Sequence, residues 1–204
     1  MHRFNLIRSG ALILLLATMM PVLGGCLFKS REPEPPTTSS IQYLPRNSAS
    51  SVWENCRLSM VNKDAGGWDT NVAEDFIYLV DSEAREANPG PHWDNWGKET
   101  EMGFINNWYG ANVTIEADLL DTEYNTPVGD GSLAQWDLIY YITVTSNVTD
   151  PPSVTNYRGR AELEFTLQGS YWYLSLWRDL NGEEDPETGN LLGTMGMLRG
   201  AFRP

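Results

Sequence analysis

Apolar residues alternate with polar ones through four successive segments that begin at Val113, and this period of two is the pattern of half-buried β-strands. The segments read "VTIEADLL", "QWDLIYYITVT", "YRGRAELEFTLQ" and "YWYLSLW". Gly169 and Ser170 join the last two, and a leading glycine suits a type II′ turn of two residues. The sequence therefore predicts strands that run antiparallel from one to the next.

The two-residue turn also predicts the register of the last hairpin, with Gln168 opposite Tyr171. Three apolar pairs then share one face of the hairpin: Leu167 with Trp172, Phe165 with Leu174, and Leu163 with Leu176. We expect that continuously apolar face to form one side of a core.

Before these strands, apolar residues recur at spacings of three and four, which indicates helices. We expect a first helix over residues 50–62, a short helix leading into a short strand within residues 68–80, and a third helix over residues 98–110. Helices followed by an antiparallel meander define an α+β fold class. The amino-terminal helices should pack on one face of a curved antiparallel sheet of four to six strands.

The order of these elements resembles that of the nuclear transport factor two-like superfamily, also called SnoaL-like or cystatin-like. The resemblance rests on "EDF" at residues 74–76, where the short helix ends, and on "WYLSLWRD" at residues 172–179, where the sheet ends. It implies an α+β cone whose open end is a pocket, used for catalysis in isomerases and dehydratases and for peptide binding elsewhere. The fold by itself does not determine an activity.

Five residues are expected at that pocket. Arg178, beyond the apolar run of the last strand, could hold a carboxylate ligand or pair with a neighbouring acidic residue. The others are the aromatic residues Trp53, Trp108, Trp136 and Tyr140. A cavity filled by these aromatic side chains would favour a binding module, whereas an ionisable group deep in an open cavity would favour an enzyme.

Catalytic members of the superfamily use an aspartate, or an aspartate with a histidine, as proton acceptor. His92, in the loop "NPGPHWDNW", is the only histidine that follows residue 25, and a lone loop histidine is more often exposed than catalytic. Asp75 and Asp81 flank the short strand, and either would suit acid–base chemistry if it faced the cavity with a shifted pKa. Carboxylates at helix ends more often only solvate a terminus. The candidates are therefore weak.

The opposite face of the sheet is expected to be unusually aromatic for a surface in water. Its members are predicted to be Ile139, Tyr141, Tyr157, Tyr173 and Trp177. Either the tail "NLLGTMGMLRGAF" or a second copy of the domain would cover this face, the latter because relatives of this superfamily commonly dimerise through it.

An acidic turn follows the last strand, with oxygen-bearing side chains at alternate positions: Asp179, Asn181, Glu183 and Asp185. The spacing begins like a calcium loop, but Glu184 stands where such a loop needs glycine. Zinc or iron would need several His and Cys ligands, which the sequence lacks. We therefore expect an acidic turn, with calcium as the weaker alternative, and no cofactor.

The amino-terminal segment has the pattern of an export signal. Residues 11–23 form an apolar run shorter than a membrane span, after Arg3 and Arg8. "LGGC" at residues 23–26 resembles the lipobox of bacterial lipoproteins, which implies cleavage before Cys26 and acylation of its thiol. The resemblance implies a signal peptide over residues 1–25. Prolines among Ser and Thr indicate a Pro/Ser-rich tether over residues 26–49, followed by one domain over residues 50–204. In a bacterium with two membranes, Leu27 in place of Asp would by the same resemblance favour the outer membrane facing the periplasm.

The net charge and the cysteine content limit which partners the protein can bind. Cleavage after residue 25 leaves 12 basic and 27 acidic residues, a net charge near −15, which repels nucleic acid phosphates and anionic lipid. Cys56 then has no partner within the chain, so it is either a buried thiol or an intermolecular bridge. We expect a lipid-anchored, non-catalytic module that binds a small apolar ligand or an envelope protein. A small isomerase or dehydratase using Asp75 or Asp81 is the alternative.

Overall fold

The computed structural model describes residues 41–118 and 131–204, together with the backbone of residues 122–124. The predicted lipidation site Cys26, the signal peptide and most of the tether lie outside these residues. Among the helices that are described, none combines the length and the apolar character needed to cross a membrane.

The described residues fold as helices against one six-stranded sheet, which confirms the α+β class. The helices are α1 (Ala49–Asn62), α2 (Ala65–Asn71), α3 (Ser82–Ala87), α4 (Lys98–Gly110) and α5 (Met195–Ala201), with a 3₁₀ turn at Pro91–Trp93. The strands are β1 (Val72–Leu79), β2 (Val113–Asp118), β3 (Thr122–Tyr124), β4 (Leu133–Ser146), β5 (Ser153–Gln168) and β6 (Tyr171–Gly182).

The sheet has the order β1-β6-β5-β4-β2, and β3 pairs with the other part of β4. β1 runs parallel to β6, and every other pair of neighbours is antiparallel. Apolar side chains of one sheet face pack against α1, α4 and α5 to form a single core. Cys56 lies inside this core as a free, buried thiol, as the first of its two alternatives predicts.

Helix α2 begins earlier than the sequence pattern suggested. The side chain of Asp64 accepts a hydrogen bond from the backbone N–H of Gly67 at 3.1 Å and so caps the helix. Gly66 and Gly67 therefore lie inside the helix. A Cβ atom at residue 67 would stand 1.9 Å from the hydroxyl oxygen of Tyr43, so glycine is needed for this close approach.

The folded domain also begins earlier than residue 50, so the predicted end of the tether is wrong. The side chain of Asn55 accepts from the backbone N–H of Leu44 at 2.7 Å and donates to its carbonyl at 2.9 Å. The hydroxyl of Tyr43 donates to Asp64 at 2.7 Å, and the carbonyl of Arg46 accepts from the backbone of Trp172 at 2.9 Å. Residues 41–48 thus form a strap bound to the domain.

Two β-bulges interrupt the β5–β6 hairpin. The predicted register holds from the turn as far as the pair Phe165–Leu174, and Gly169 has the positive φ of 65° that the turn requires. Ser175 is then an extra residue, so that Leu163 pairs with Trp177 and not with Leu176. The slip by one residue turns Trp177 toward the core and Arg178 toward the outside.

A second extra residue, Leu180, lies between the pairs Ala161–Asp179 and Arg160–Asn181. Since directly paired residues share a face, Asp179 lies beside Ala161 on the inner face. The bulge at Ser175 therefore places Trp177 and Asp179 together in the interior, where both are buried.

The predicted composition of the outer face is wrong for two of its five residues. Trp177 is fully buried in the core, and Tyr157 pairs with Ile142 on the inner face. Ile139, Tyr141 and Tyr173 remain outside and are half-buried. The charged pairs Arg160–Asp137 and Arg178–Glu162 share that outer face.

The tail does not cover the outer face either, because its helix α5 enters the core. Met195 and Leu198 are fully buried there. The hydroxyl of Thr194 caps the helix by accepting from the backbone N–H of Gly196 at 3.1 Å, and Gly193 pairs with Tyr157. Helix α5 therefore completes the interior from the inner side of the sheet.

Candidate functional site

Asp179 is the centre of a buried polar cluster. Its carboxylate accepts hydrogen bonds from the hydroxyl of Tyr78 at 2.6 Å, the hydroxyl of Tyr140 at 3.0 Å and the indole nitrogen of Trp177 at 2.8 Å. Only 3% of Asp179 is exposed. Burial raises the pKa of Asp179 above the usual value, although the nearby Arg199 and the three donors lower it in part.

Tyr140 connects this cluster to α5. Its hydroxyl oxygen accepts from the backbone N–H of Met195 at 2.7 Å while its proton is donated to Asp179. Gly159 lies opposite Tyr140 in the β4–β5 pair, and a Cβ atom there would come within 2.4 Å of the hydroxyl oxygen. The glycine thus leaves room for the phenol inside the sheet.

A second buried group is the ion pair between Arg199 of α5 and Glu101 of α4. Arg199 Nε donates to Glu101 Oε2 at 2.9 Å, Nη2 donates to Oε1 at 2.8 Å, and both side chains are fully buried. The indole nitrogen of Trp96 also donates to Glu101 at 2.8 Å. Burial alone would lower the pKa of Arg199, but the Glu101 carboxylate raises it above its usual value.

Three aromatic rings surround the same guanidinium. Its central carbon lies 3.9 Å from the ring centre of Tyr78, 4.9 Å from that of Trp177 and 5.3 Å from that of Phe104. We call Glu101 and these three rings the arginine cage. Such contacts stabilise a cation more strongly when water is excluded.

One nitrogen of the caged guanidinium has no hydrogen bond to any described residue. Arg199 Nη1 is buried and has no hydrogen-bond partner among the described residues. Since buried donors are nearly always satisfied, Arg199 fits the arginine cage incompletely.

The four aromatic residues predicted at the pocket are buried and fill the interior. Trp108 and Tyr140 are fully buried, and Trp53 and Trp136 are each 5% exposed. Arg178 lies elsewhere, on the outer face, where Nη1 donates to Glu162 at 2.8 Å. The second of its two alternatives, pairing with a neighbouring acid, is the one observed.

Asp75 and Asp81 have no free functional group inside the core, whereas His92 Nε2 is buried and has no hydrogen-bond partner among the described residues. Asp75 is exposed and accepts from Gln168 at 3.0 Å. Asp81 is buried, but it caps α3 through Ala84 at 2.8 Å and accepts from the hydroxyl of Thr194 at 2.6 Å. His92 is half-buried beside Trp93, and burial lowers its pKa.

The four residues of the calcium candidate do not form one cluster, although Asn181 Nδ2 donates to Glu183 Oε1 at 3.3 Å. Asp179 lies in the interior, whereas Asn181 is exposed and donates to the carbonyl of Gly182 at 2.7 Å. Asp185 accepts from the backbone of Glu187 at 2.8 Å. Within the described ranges, no three His, Cys, Asp or Glu side chains form a group that could hold a metal ion.

Sequence reasoning missed Tyr78, Glu101 and Arg199, and it considered Asp179 only as a calcium ligand. One signal was available for Glu101, because it stands on the same helical stripe as Ile105 and Trp108. A charged residue on an apolar stripe indicates a buried partner.

The fold and the filled interior define the class of protein as an α+β cone. No family model matches the chain, and no curated protein matches it. Solved structures do share the fold. A protein assigned as an aromatic ring hydroxylase from Novosphingobium aromaticivorans superposes with a TM-score of 0.54 at 11% identity, over 75% of this chain and 95% of that chain.

Naphthalene 1,2-dioxygenase, in a structure with indole bound in its active site, superposes with a TM-score of 0.52 at 12% identity, over 68% of this chain and 79% of that chain. A nuclear transport factor two-like protein of unknown function from Pseudomonas putida gives 0.48 at 14% identity, over 71% and 90%. At these identities the likeness is one of fold.

Proposed function

We propose that this chain is a lipid-anchored protein of the bacterial envelope whose cone domain binds a ligand or a protein partner without catalysing a reaction. The observation that carries the proposal is the occupied interior. The space in which a cone protein would hold a substrate contains the aromatic core, the Asp179 cluster and the Arg199–Glu101 ion pair.

The aspartates of the described residues that the catalytic alternative could use are not available as acid or base. General acid–base catalysis needs a group within hydrogen-bond reach of the substrate. Asp81 is engaged by Ala84 and Thr194, and Asp179 already accepts three hydrogen bonds. Asp75 is exposed on the surface. The geometry therefore favours binding over isomerisation or dehydration.

The anchor is proposed from the sequence. Cys26 would carry the acyl chains, and two or three chains give stable attachment where one does not. Leu27 directs the protein, on this proposal, to the outer membrane facing the periplasm.

The anchor is tested by expressing the full chain in a bacterium with two membranes and separating the membranes by density. We expect Cys26→Ser to move the protein out of the membrane fraction and Leu27→Asp to move it to the inner membrane. Cys56→Ala, which removes the buried thiol, is the matched control and should leave the protein in the outer membrane. Membrane attachment that survives Cys26→Ser would contradict the proposal.

A homodimer through the outer face is a separate prediction, supported by the half-buried residues Ile139, Tyr141 and Tyr173. Light scattering on residues 41–204 tests it. We expect the unmodified domain to be a dimer and Tyr141→Glu to dissociate it. If the unmodified domain is a monomer, the prediction is wrong.

A further inference from the structure

The interior holds a cation in the way that a binding site holds a ligand. Arg199 comes from α5, whereas every residue of the arginine cage comes from β1, α4 or β6. The surrounding structure thus contributes a carboxylate and three rings, and α5 contributes only the guanidinium that fills the space between them.

We propose that the arginine cage is a binding site for a guanidinium-bearing ligand and that α5 closes it by placing Arg199 there as an internal competitor. The inference rests on the binding function proposed above and names the chemical class of its ligand.

The chemistry of the cage selects this class. Glu101 offers two oxygens to a planar pair of donors, a geometry that guanidinium matches and ammonium does not. The faces of Tyr78 and Trp177 favour a delocalised cation. A neutral or anionic ligand would leave Glu101 buried without a counter-ion, which is costly.

Arg199 itself satisfies the site only in part. Its Nη1 has no hydrogen-bond partner in the described part of the chain. The side chain of Arg199 is attached to the backbone of α5, which limits the positions that its guanidinium can take. A free ligand has no such constraint, so it can compete with Arg199.

The closing helix is held at its first turn by contacts that lie outside the cage. The Thr194 hydroxyl donates to Asp81 at 2.6 Å, and the Met195 N–H donates to Tyr140 at 2.7 Å. The segment before it, from residue 186 to residue 191, is exposed. Weakening the contact of Thr194 therefore weakens closure without changing any residue that would touch the ligand.

The first experiment removes the internal competitor by the substitution Arg199→Ala. Ethylguanidinium is then added as the ligand, because it has the atoms that this substitution removes. We expect saturable binding to the Arg199→Ala variant of residues 41–204, measured by tryptophan fluorescence and by a rise in Tm. Affinity should be at least tenfold higher than for the unmodified domain. Ethylammonium and N-ethylurea, which lack the charged fork, should bind at least tenfold more weakly.

Arg203→Ala is the matched control, because Arg203 is exposed and lies just beyond the same helix. It should behave as the unmodified domain does. If Arg199→Ala folds only with ethylguanidinium present and not with ethylammonium, as seen by circular dichroism, that outcome supports the site. The site would be overturned if Arg199→Ala neither bound ethylguanidinium selectively nor refolded selectively in its presence.

The second experiment leaves the cage intact. Thr194→Ala should raise the apparent affinity for ethylguanidinium several-fold, since apparent affinity scales with the fraction of molecules whose site is open. Thr188→Ala, in the exposed segment, should not change it. Equal affinity in Thr194→Ala and the unmodified domain would overturn the role of α5 as a competitor. Neither failure would affect the membrane-anchor test, so the two proposals fail separately.

Discussion

The guanidinium of Arg199 and the carboxylate of Glu101 form two hydrogen bonds, of 2.8 and 2.9 Å, with both side chains fully buried. Residues that are 98 positions apart in the chain are thereby joined across the interior. Breaking such a pair leaves one charge unpaired in a medium that solvates it poorly. The pair thus controls both the stability of the domain and the position of α5.

We expect Arg199→Ala to lower the free energy of unfolding by about 3–5 kcal/mol, because Glu101 loses its counter-ion. Urea unfolding followed by circular dichroism measures the change. Arg178→Ala is the control, since its pair with Glu162 is about half exposed and should contribute at most about 1 kcal/mol. Adding Glu101→Gln to Arg199→Ala should restore part of the loss. If Arg199→Ala and Arg178→Ala lowered the free energy of unfolding equally, this prediction would be contradicted.

Asp179 should be replaceable by asparagine but not by leucine. Asp179→Leu leaves the donors of Tyr78, Tyr140 and Trp177 buried without an acceptor, and we expect a loss of about 3 kcal/mol or more. Asp179→Asn keeps an acceptor oxygen and should cost less. The free energy of unfolding of both variants is measured with urea at pH 7. If Asp179→Asn lost more stability than Asp179→Leu, the hydrogen bonds to Asp179 would not be what stabilises the domain.

The same residue predicts a pH dependence. Because burial raises the pKa of Asp179, the folded state keeps a proton at pH values where the unfolded chain has released it. Lowering the pH from neutral toward the unfolded value of about 3.9 should therefore stabilise the wild type relative to Asp179→Asn. Unfolding free energies of both proteins between pH 8 and pH 4.5 measure the difference. A difference that is constant or that falls on acidification would refute the prediction.

Gly196 is a test of how closely α5 packs. A Cβ atom there would lie 2.7 Å from Ala84 Cβ and 2.7 Å from Asp81 Oδ2, so Gly196→Ala should destabilise by about 1–3 kcal/mol. Gly110→Ala, at the end of α4, meets no atom within 4 Å and should be neutral or slightly stabilising. Thermal unfolding of Gly196→Ala and Gly110→Ala measures the difference. Similar changes in Tm for the two variants would contradict the prediction.

The strap over residues 41–48 should be required for full stability. A fragment of residues 50–204 leaves Asn55 without the two backbone hydrogen bonds of Leu44, and it also removes Tyr43 from Asp64. We expect it to unfold at a lower urea concentration than residues 41–204. Asn55→Ala in the longer fragment should reproduce part of the loss. Identical midpoints for the two fragments would show that the strap contributes nothing.

The sequence predicted the fold class and the first pairs of the hairpin because both follow from local periodicity and turn chemistry. It did not predict the bulge at Ser175, since Leu176 and Trp177 are both apolar and either could face the core. That one residue decided the direction of Trp177, Arg178 and Asp179. The polar cluster was therefore invisible in the pattern of hydrophobic residues.

The extent of the strap and the role of α5 escaped prediction for a different reason. Both depend on contacts between residues distant in the chain, such as Leu44 with Asn55 and Arg199 with Glu101. Residues 41–48 directly follow a Pro/Ser-rich run and carry no helical or strand periodicity, and the hydrogen bonds of their backbone show that they belong to the domain. Long-range polar pairing leaves little trace in local periodicity.

Helix α5 follows every strand of the sheet along the chain, so a ribosome makes Glu101 and Asp179 before it makes Arg199. Until that residue is added, the nascent domain holds acidic groups that a dry interior cannot accommodate. The interior of the domain can therefore close only after its last helix has been made.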